Sequence, residues 1–229
     1  MRTNLSPNGV LSVDFFDGFI FRFIQEIYFR GDKDCSALGR YYVSRLTDRV
    51  GGIQDYENAL FQHMTRTFPK LRCIIHVGIG IGTITSLLAA TGRRVIGIES
   101  DTQRFRIAAQ LRLATVTVWP NVSSQYHLVE GVYPQALENL LESQGTDCLL
   151  LLTNFVVTQT QEVQDAIIAT FCRFGNVVLD LRTFCDLREL EKQRSELRDR
   201  ILAAGMNDAG PIPTAPGNYY YRFTQKRPQ

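Results

Sequence analysis

The chain has 229 residues, 45% hydrophobic and 21% charged, with a formal net charge of +2, enough for one sizeable core or a core domain with a smaller attachment. Like charges never run beyond adjacent pairs such as Arg93-Arg94 and Lys226-Arg227, so the basic stripe of a dedicated nucleic-acid binder is missing and no nucleic-acid partner is expected. Cys35, Cys73, Cys148, Cys172 and Cys185 form no CxxC pair, which argues against a disulfide framework or a zinc site and fits free thiols in a reducing, cytoplasmic setting.

Residues 1–68 show helical patterns rich in Phe and Tyr, with no series of strands. The N-terminus lacks a basic segment followed by a clean apolar one, so no signal peptide is expected. The stretch Phe15 to Phe29 is interrupted by Asp17, Arg22 and Glu26 and is too short to cross a bilayer. It reads as a buried or interface helix, and makes the N-terminal helices the candidate surface for a homodimer. Tyr41 and Tyr42, in RYYVSRL, read either as core or as a lid. The last helix of this region is IQDYENALFQHMTRTF, and the whole reads as a helical cap packed on an α/β domain spanning 69–229.

From Arg72 onward, strand-length apolar runs alternate with helical patterns. RCIIHV is followed by the helix TITSLLAAT, which Gly92 stops. RRVIGIE is followed by TQRFRIAAQLRLA, with Asp101 as its N-cap. SQYHLVE is followed by PQALENLLES, with Pro134 as its first residue. DCLLLLT and NVVLDL are the fourth and fifth strands. Between them lies EVQDAIIATF, where Val163, Ile167 and Phe171 recur at intervals of four along one apolar face. These strands alternate little between apolar and polar, as strands buried on both faces of a parallel sheet do. The expected fold is therefore a mostly parallel, doubly wound α/β sheet. Asp186 with Glu189 makes a capping box for a long polar helix that Gly205 ends. The remaining segment is too short for another βαβ unit and is read as turns plus one aromatic strand, NYYYRF, running antiparallel to its neighbour.

The segment Cys73 to Thr83, CIIHVGIGIGT, is a strand that breaks into three glycines spaced two apart. A glycine-rich turn between a strand and a helix lets a ligand approach the backbone, while the helix N-terminus favours negative charge. A triphosphate loop of the GxxxxGK[ST] type is absent, and the dinucleotide fingerprint would need glycine at position 83, which is Thr83.

The run HVGIGIGTITSLLAATGRRVIGIESD resembles the first cofactor motif of class I S-adenosylmethionine-dependent methyltransferases, and the likeness extends over roughly residues 70–229. It implies a methyltransferase fold with an antiparallel last strand, S-adenosylmethionine as cofactor, and methyl transfer to a small-molecule acceptor. Gly78, Gly80, Gly82 and Thr83 would then form the cofactor loop. Glu99 would accept hydrogen bonds from both ribose hydroxyls, with Ser100 beside it. Glu130 and Gly131 would lie at the adenine, although Glu130 reads equally as a solvated strand-end carboxylate. Thr153, Asn154 and Phe155 would face the methyl donor and acceptor.

His76 departs from the resemblance, because it stands where the family has an acid near the methionyl ammonium. It is either a hydrogen-bonding cofactor residue or a satisfied inner residue. The (D/N)PP(Y/F) arrangement is missing, and no acidic set for a catalytic metal is evident. Asn154, Tyr133 and Asp180 are the candidates for a base, where one is needed, and His127 reads as a packed strand residue. Three other readings stand behind methyl transfer. They are a methyltransferase-fold binding subunit without catalysis, a transferase of the aminopropyl or aminobutyryl group, and, last, a nicotinamide dehydrogenase.

Overall fold

The computed structural model describes residues 55–138, 145–153, 156, 159–181, 187–213 and 220–226. The readings placed on residues 1–54, Asn154, Phe155 and Asp186 lie outside them, as do Cys35 and Cys185. The sheet and its helices belong to one compact unit, Ala59–Gln229.

Helix α1, Asp55–Thr67, buries Leu60, Phe61 and Met64 along one side. Seven strands follow: β1 Cys73–Val77, β2 Arg94–Glu99, β3 Tyr126–Glu130, β4 Gly145–Leu152, β5 Phe174–Asp180, β6 Met206–Pro211 and β7 Tyr220–Gln225. They form one sheet in the order β3-β2-β1-β4-β5-β7-β6. Strands β1 to β5 pair in parallel, and β7 lies antiparallel between β5 and β6. Every residue of β1 is buried, as are five of the six in β2, which explains their uninterrupted Ile and Val runs.

The connecting helices are α2 Thr83–Ala90, α3 Thr102–Val118, the short α4 Gln135–Glu138, α5 Gln161–Ile168 and α6 Leu187–Ala203. Asp101 caps α3, its carboxylate accepting from the Arg104 N–H at 2.9 Å. The chain winds from β1 outward to β3 and then from β4 outward to β5. Right-handed crossovers therefore put the two sets of helices on opposite faces. Helix α6 buries Leu197 and Ile201, four residues apart, and its Arg200 donates to the Gln164 side chain of α5 at 2.6 Å.

Two sequence expectations need correction. The chain ends in two strands, because Met206–Pro211 forms β6, read beforehand as turn. It is an edge strand with Gly210 at φ +93° and a register shift between Asp208 and Pro211. Proline and a glycine bulge are tolerated there because one side of an edge strand needs no partner. The interval of four on α5 is also incomplete. The helix ends at Ile168, so its buried face is Gln164, Ile167 and Ile168, while Val163 is 36% exposed and Phe171 falls in the next 3-10 turn.

Gly97, in the middle of β2, supports the turn after β1. A Cβ added there would lie 2.9 Å from Leu128 Cδ2 and 3.0 Å from Ile79 Cδ1. Replacing Gly97 with alanine should cost about 1–3 kcal/mol by overpacking, read from urea denaturation midpoints. An unchanged midpoint would show that Ile79 is not seated on this strand.

Candidate functional site

The strand order reverses between β1 and β4, since β1 leads to one side of the sheet and β4 to the other. Ligands of open α/β sheets lie outside the strand carboxyl ends at such a switch point. Three groups converge there: the turn 78–82 after β1, Glu99 at the end of β2, and Thr153 just after β4.

Gly78, Gly80 and Gly82 all have positive φ, at +72°, +59° and +84°. Two of them show why glycine is required. A Cβ on Gly82 would meet Ala108 Cβ at 3.3 Å and the Tyr126 hydroxyl at 3.5 Å, so its absence lets α3 and β3 close on the turn. A Cβ on Gly80 would have nothing within 4 Å. Gly80 therefore meets a conformational demand and leaves clear space above its Cα. The turn is tied down by the Gly78 N–H donating to the Ile98 carbonyl at 3.0 Å and the Gly82 N–H to the Ile79 carbonyl at 2.9 Å.

Glu99 is 5% exposed, yet both carboxylate oxygens are matched. Oε2 accepts from the Gly80 N–H at 2.8 Å and Oε1 from the Asp101 N–H at 3.0 Å. Each oxygen keeps a second acceptor direction. Ser100, beside it, is exposed. Gly131 continues the turn after β3, its N–H donating to the Glu99 carbonyl at 3.0 Å. Glu130 is exposed and accepts from the Thr102 hydroxyl at 2.6 Å.

His76 is 1% exposed and faces two threonines. Nδ1 lies 2.9 Å from Thr85 Oγ1 and Nε2 lies 3.0 Å from Thr153 Oγ1. The tautomer follows from a third contact, the Thr153 hydroxyl 2.8 Å from the Gly78 carbonyl. Two oxygens that close need a hydrogen between them, and only the hydroxyl has one to give. Thr153 therefore donates to Gly78, His76 Nε2–H donates to Thr153, and Nδ1 accepts from Thr85. Burial pushes the imidazole down to about 3, so it stays neutral. Both ring nitrogens are matched by threonine hydroxyls, and the ring ties β1 to α2 and to the end of β4.

The side chain of Thr83, at the start of α2, is 2% exposed and its Oγ1 has no partner among the described residues. Helix α2 carries no side-chain cap at its N-terminus, where the first N–H groups of a helix have no internal partner.

Of the base candidates, Tyr133 and Asp180 lie among the described residues. Tyr133 is buried, and its hydroxyl donates to Thr170 Oγ1, which in turn donates to the Ile167 carbonyl. Burial pushes the Tyr133 phenol upward from its ordinary value, and the ring packs in the β3–α4 turn. Asp180 ends β5, buried and engaged. His127 corrects the packed-residue expectation. It is exposed on edge strand β3, 2.9 Å from the Ser124 carbonyl. Among the described residues no three His, Cys, Asp or Glu side chains gather as a metal site, and no helix is long and apolar enough to cross a membrane. At the opposite end of the sheet, Lys70, Arg72, Arg93 and Arg94 border an open groove of about 760 Å³. It lies away from the strand carboxyl ends.

Sequence reasoning missed Thr85, Asp101 and Thr102 as partners of the three expected site residues. Thr85 and Thr102 pair across nine and 28 positions, depending on how α2 and α3 seat on the sheet, whereas the Asp101 N–H lies only two residues from Glu99.

No protein-family model matches the sequence, and no curated protein matches it significantly. Solved structures share the fold. A TehB-like SAM-dependent methyltransferase from Corynebacterium glutamicum ATCC 13032 Kitasato is 16% identical, with a TM-score of 0.54 over 83% of this chain and 99% of that one. The glycopeptide N-methyltransferase MtfA complexed with sinefungin is 9% identical, with a TM-score of 0.57 over 78% of this chain and 90% of that one. The same enzyme complexed with S-adenosyl-L-methionine is 8% identical, with a TM-score of 0.52 over 73% and 87%. The chain thus has the class I methyltransferase-like fold.

The His76 network has a testable energetic signature. The imidazole is neutral in the folded chain down to about 3, against an ordinary value of 6.5. The unfolded chain therefore takes up the proton first as pH falls. The stability that the neutral His76 contributes is complete above pH 6.5 and is lost as pH drops toward 3, with a slope of up to about 1.4 kcal/mol per pH unit. Urea denaturation of the wild type and His76→Gln at pH 7, 5.5 and 4 should show the wild-type advantage shrinking with acidity. A constant difference would mean that the ring is already charged or already solvated.

Proposed function

We propose that the chain binds S-adenosylmethionine across the carboxyl ends of β3, β2, β1 and β4 and transfers its methyl group to a small-molecule acceptor. The observation that carries this reading is the Glu99 carboxylate, fixed by the Gly80 and Asp101 N–H groups beside three left-handed glycines. Two further features fit the cofactor. The Gly80 Cα opens onto clear space, and the buried Thr83 hydroxyl at the start of α2 has no partner among the described residues. The shared fold with MtfA, which has been solved with S-adenosylmethionine, supports the same assignment.

Each residue then has a defined task. Glu99 accepts the two ribose hydroxyls on its remaining lone-pair directions. Glu130 and Gly131 border the adenine at the end of β3. The turn 78–82 lets the amino-acid arm lie against main chain, and Thr153 sets the distance between that turn and β4. When bound, the cofactor supplies an electrophilic methyl on a sulfonium, so the protein's work is positioning and exclusion of water. Cys73, Cys148 and Cys172 form no disulfide, which fits the cytoplasmic location the sequence suggests.

Calorimetric titration of S-adenosylmethionine and S-adenosylhomocysteine tests the assignment. Micromolar binding is expected for the wild type. Glu99→Gln, which puts a donor where two acceptors are needed, should weaken it about 10-fold to 100-fold. Gly80→Val, a branched side chain at φ +59°, should abolish it. No heat from either ligand with folded wild type would refute the reading.

A further inference from the structure

We propose that Cys73 and Cys148 form an oxidisable dithiol, which hydrogen peroxide converts to an intramolecular disulfide joining β1 to β4 at the end of the sheet opposite the glycine turn.

The placement comes from the register. Cys73 opens β1 and pairs with Cys148 of β4 in a parallel ladder. Register partners of parallel strands point to the same face. Both thiols belong to the core on that face, where Ile75 against Leu150 and Val77 against Leu152 continue the row. Neighbouring strands are about 4.8 Å apart, inside the range of about 4.4–6.8 Å that the Cα atoms of a disulfide span. The two thiols are already joined by a hydrogen bond. They are 8% and 6% exposed, and each follows an exposed residue, Arg72 and Asp147. The pair therefore sits at the rim of the sheet, within reach of a molecule as small as peroxide.

The chemistry has a direction. Cys73 lies in register between Cys148 on β4 and Arg94 on β2. The S–H of Cys148, donated to Cys73, holds the Cys73 thiol below its ordinary value against the effect of burial, and the Arg94 guanidinium adds to this. The same hydrogen bond, with burial, pushes Cys148 upward. Since the thiolate is the nucleophile, Cys73 Sγ attacks peroxide. The O–O bond breaks, a sulfenic acid forms on Cys73 and the first water leaves. Cys148 then gives up its proton, and its Sγ attacks Cys73 Sγ. The S–O bond breaks, and hydroxide leaves with that proton as the second water. The two thiols lose two electrons and two hydrogens, and one peroxide is reduced to two waters. In a reducing compartment thiols restore the pair, so the link is of the transient, redox-sensing kind.

The experiment exposes the folded, full-length wild type to hydrogen peroxide, alkylates the remaining thiols, and maps the peptides without reduction. The expected product is a monomer lighter by two hydrogens, with Cys73 linked to Cys148 and both thiols restored by dithiothreitol. A link from either to Cys35, Cys172 or Cys185, or sulfinic and sulfonic acids on an unlinked Cys73, overturns the proposal. Recovery of both thiols intact overturns it equally. Cys148→Ala and Cys73→Ala, checked for fold by circular dichroism, separate the two roles. At equal peroxide the first should carry oxygen on Cys73 and the second none on Cys148. Any other pattern overturns the order of attack.

Discussion

The site end of the sheet depends on one buried imidazole. His76 lies inside an otherwise apolar strand, where an unpaired polar group costs several kcal/mol. It is tolerated because both ring nitrogens are matched by threonine hydroxyls. The match also has a direction. One chain of hydrogens runs from Thr85 through the ring to Thr153 and on to the Gly78 carbonyl, so each member fixes the next. A fully satisfied network of this kind specifies a single arrangement more sharply than apolar packing does. Helix α2, strand β1, the turn after it and the end of β4 are held in one register by three side chains.

That clamp matters because of where the topology puts it. Strands β1 and β4 flank the point at which the sheet order reverses, and the loops leaving them diverge to opposite faces. A crevice opens there for geometric reasons in any sheet wound this way. The ladder between β1 and β4 continues into the loop through the Thr153 N–H, which donates to the Val77 carbonyl at 3.1 Å. The Tyr126 hydroxyl, 3.0 Å from Ser86 Oγ, fixes the far side of α2 to β3. The turn 78–82 is thus braced from both sides before any ligand arrives, which is the condition for binding without a reorganisation cost.

Much of this architecture is legible in the sequence, and the reasons are local. Five apolar strand runs, the Asp101 cap and the alternate glycines each announce themselves within a few residues. What stays hidden depends on partners far away in the chain. His76 and Thr153 are 77 positions apart, and Tyr133 and Thr170 are 37 apart, so no spacing rule reaches them. Strand β6 is hidden for a different reason. Met-Asn-Asp-Ala-Gly-Pro has poor strand propensity, and it is extended because β7 offers it a ladder and Met206 a buried anchor. His127 and Val163 mislead in the opposite sense. Both sit in apolar patterns, but an edge strand and an early helix end leave them in solvent.

The fold of this chain is therefore better marked than its chemistry. Glu99 shows how the two are joined. Its carboxylate closes the turn onto β2 by accepting two main-chain N–H groups, one of them from Gly80, whose Cα opens onto clear space. A ligand hydroxyl that bonds there adds to a group already oriented by the backbone, so its recognition is built into the shape of the turn. At β1 the arrangement is reversed, since the polar side chain is consumed by the protein and nothing of it is left over. Both ends of the crevice are thus held by hydrogen bonds within the protein, through a carboxylate at β2 and through an imidazole at β1.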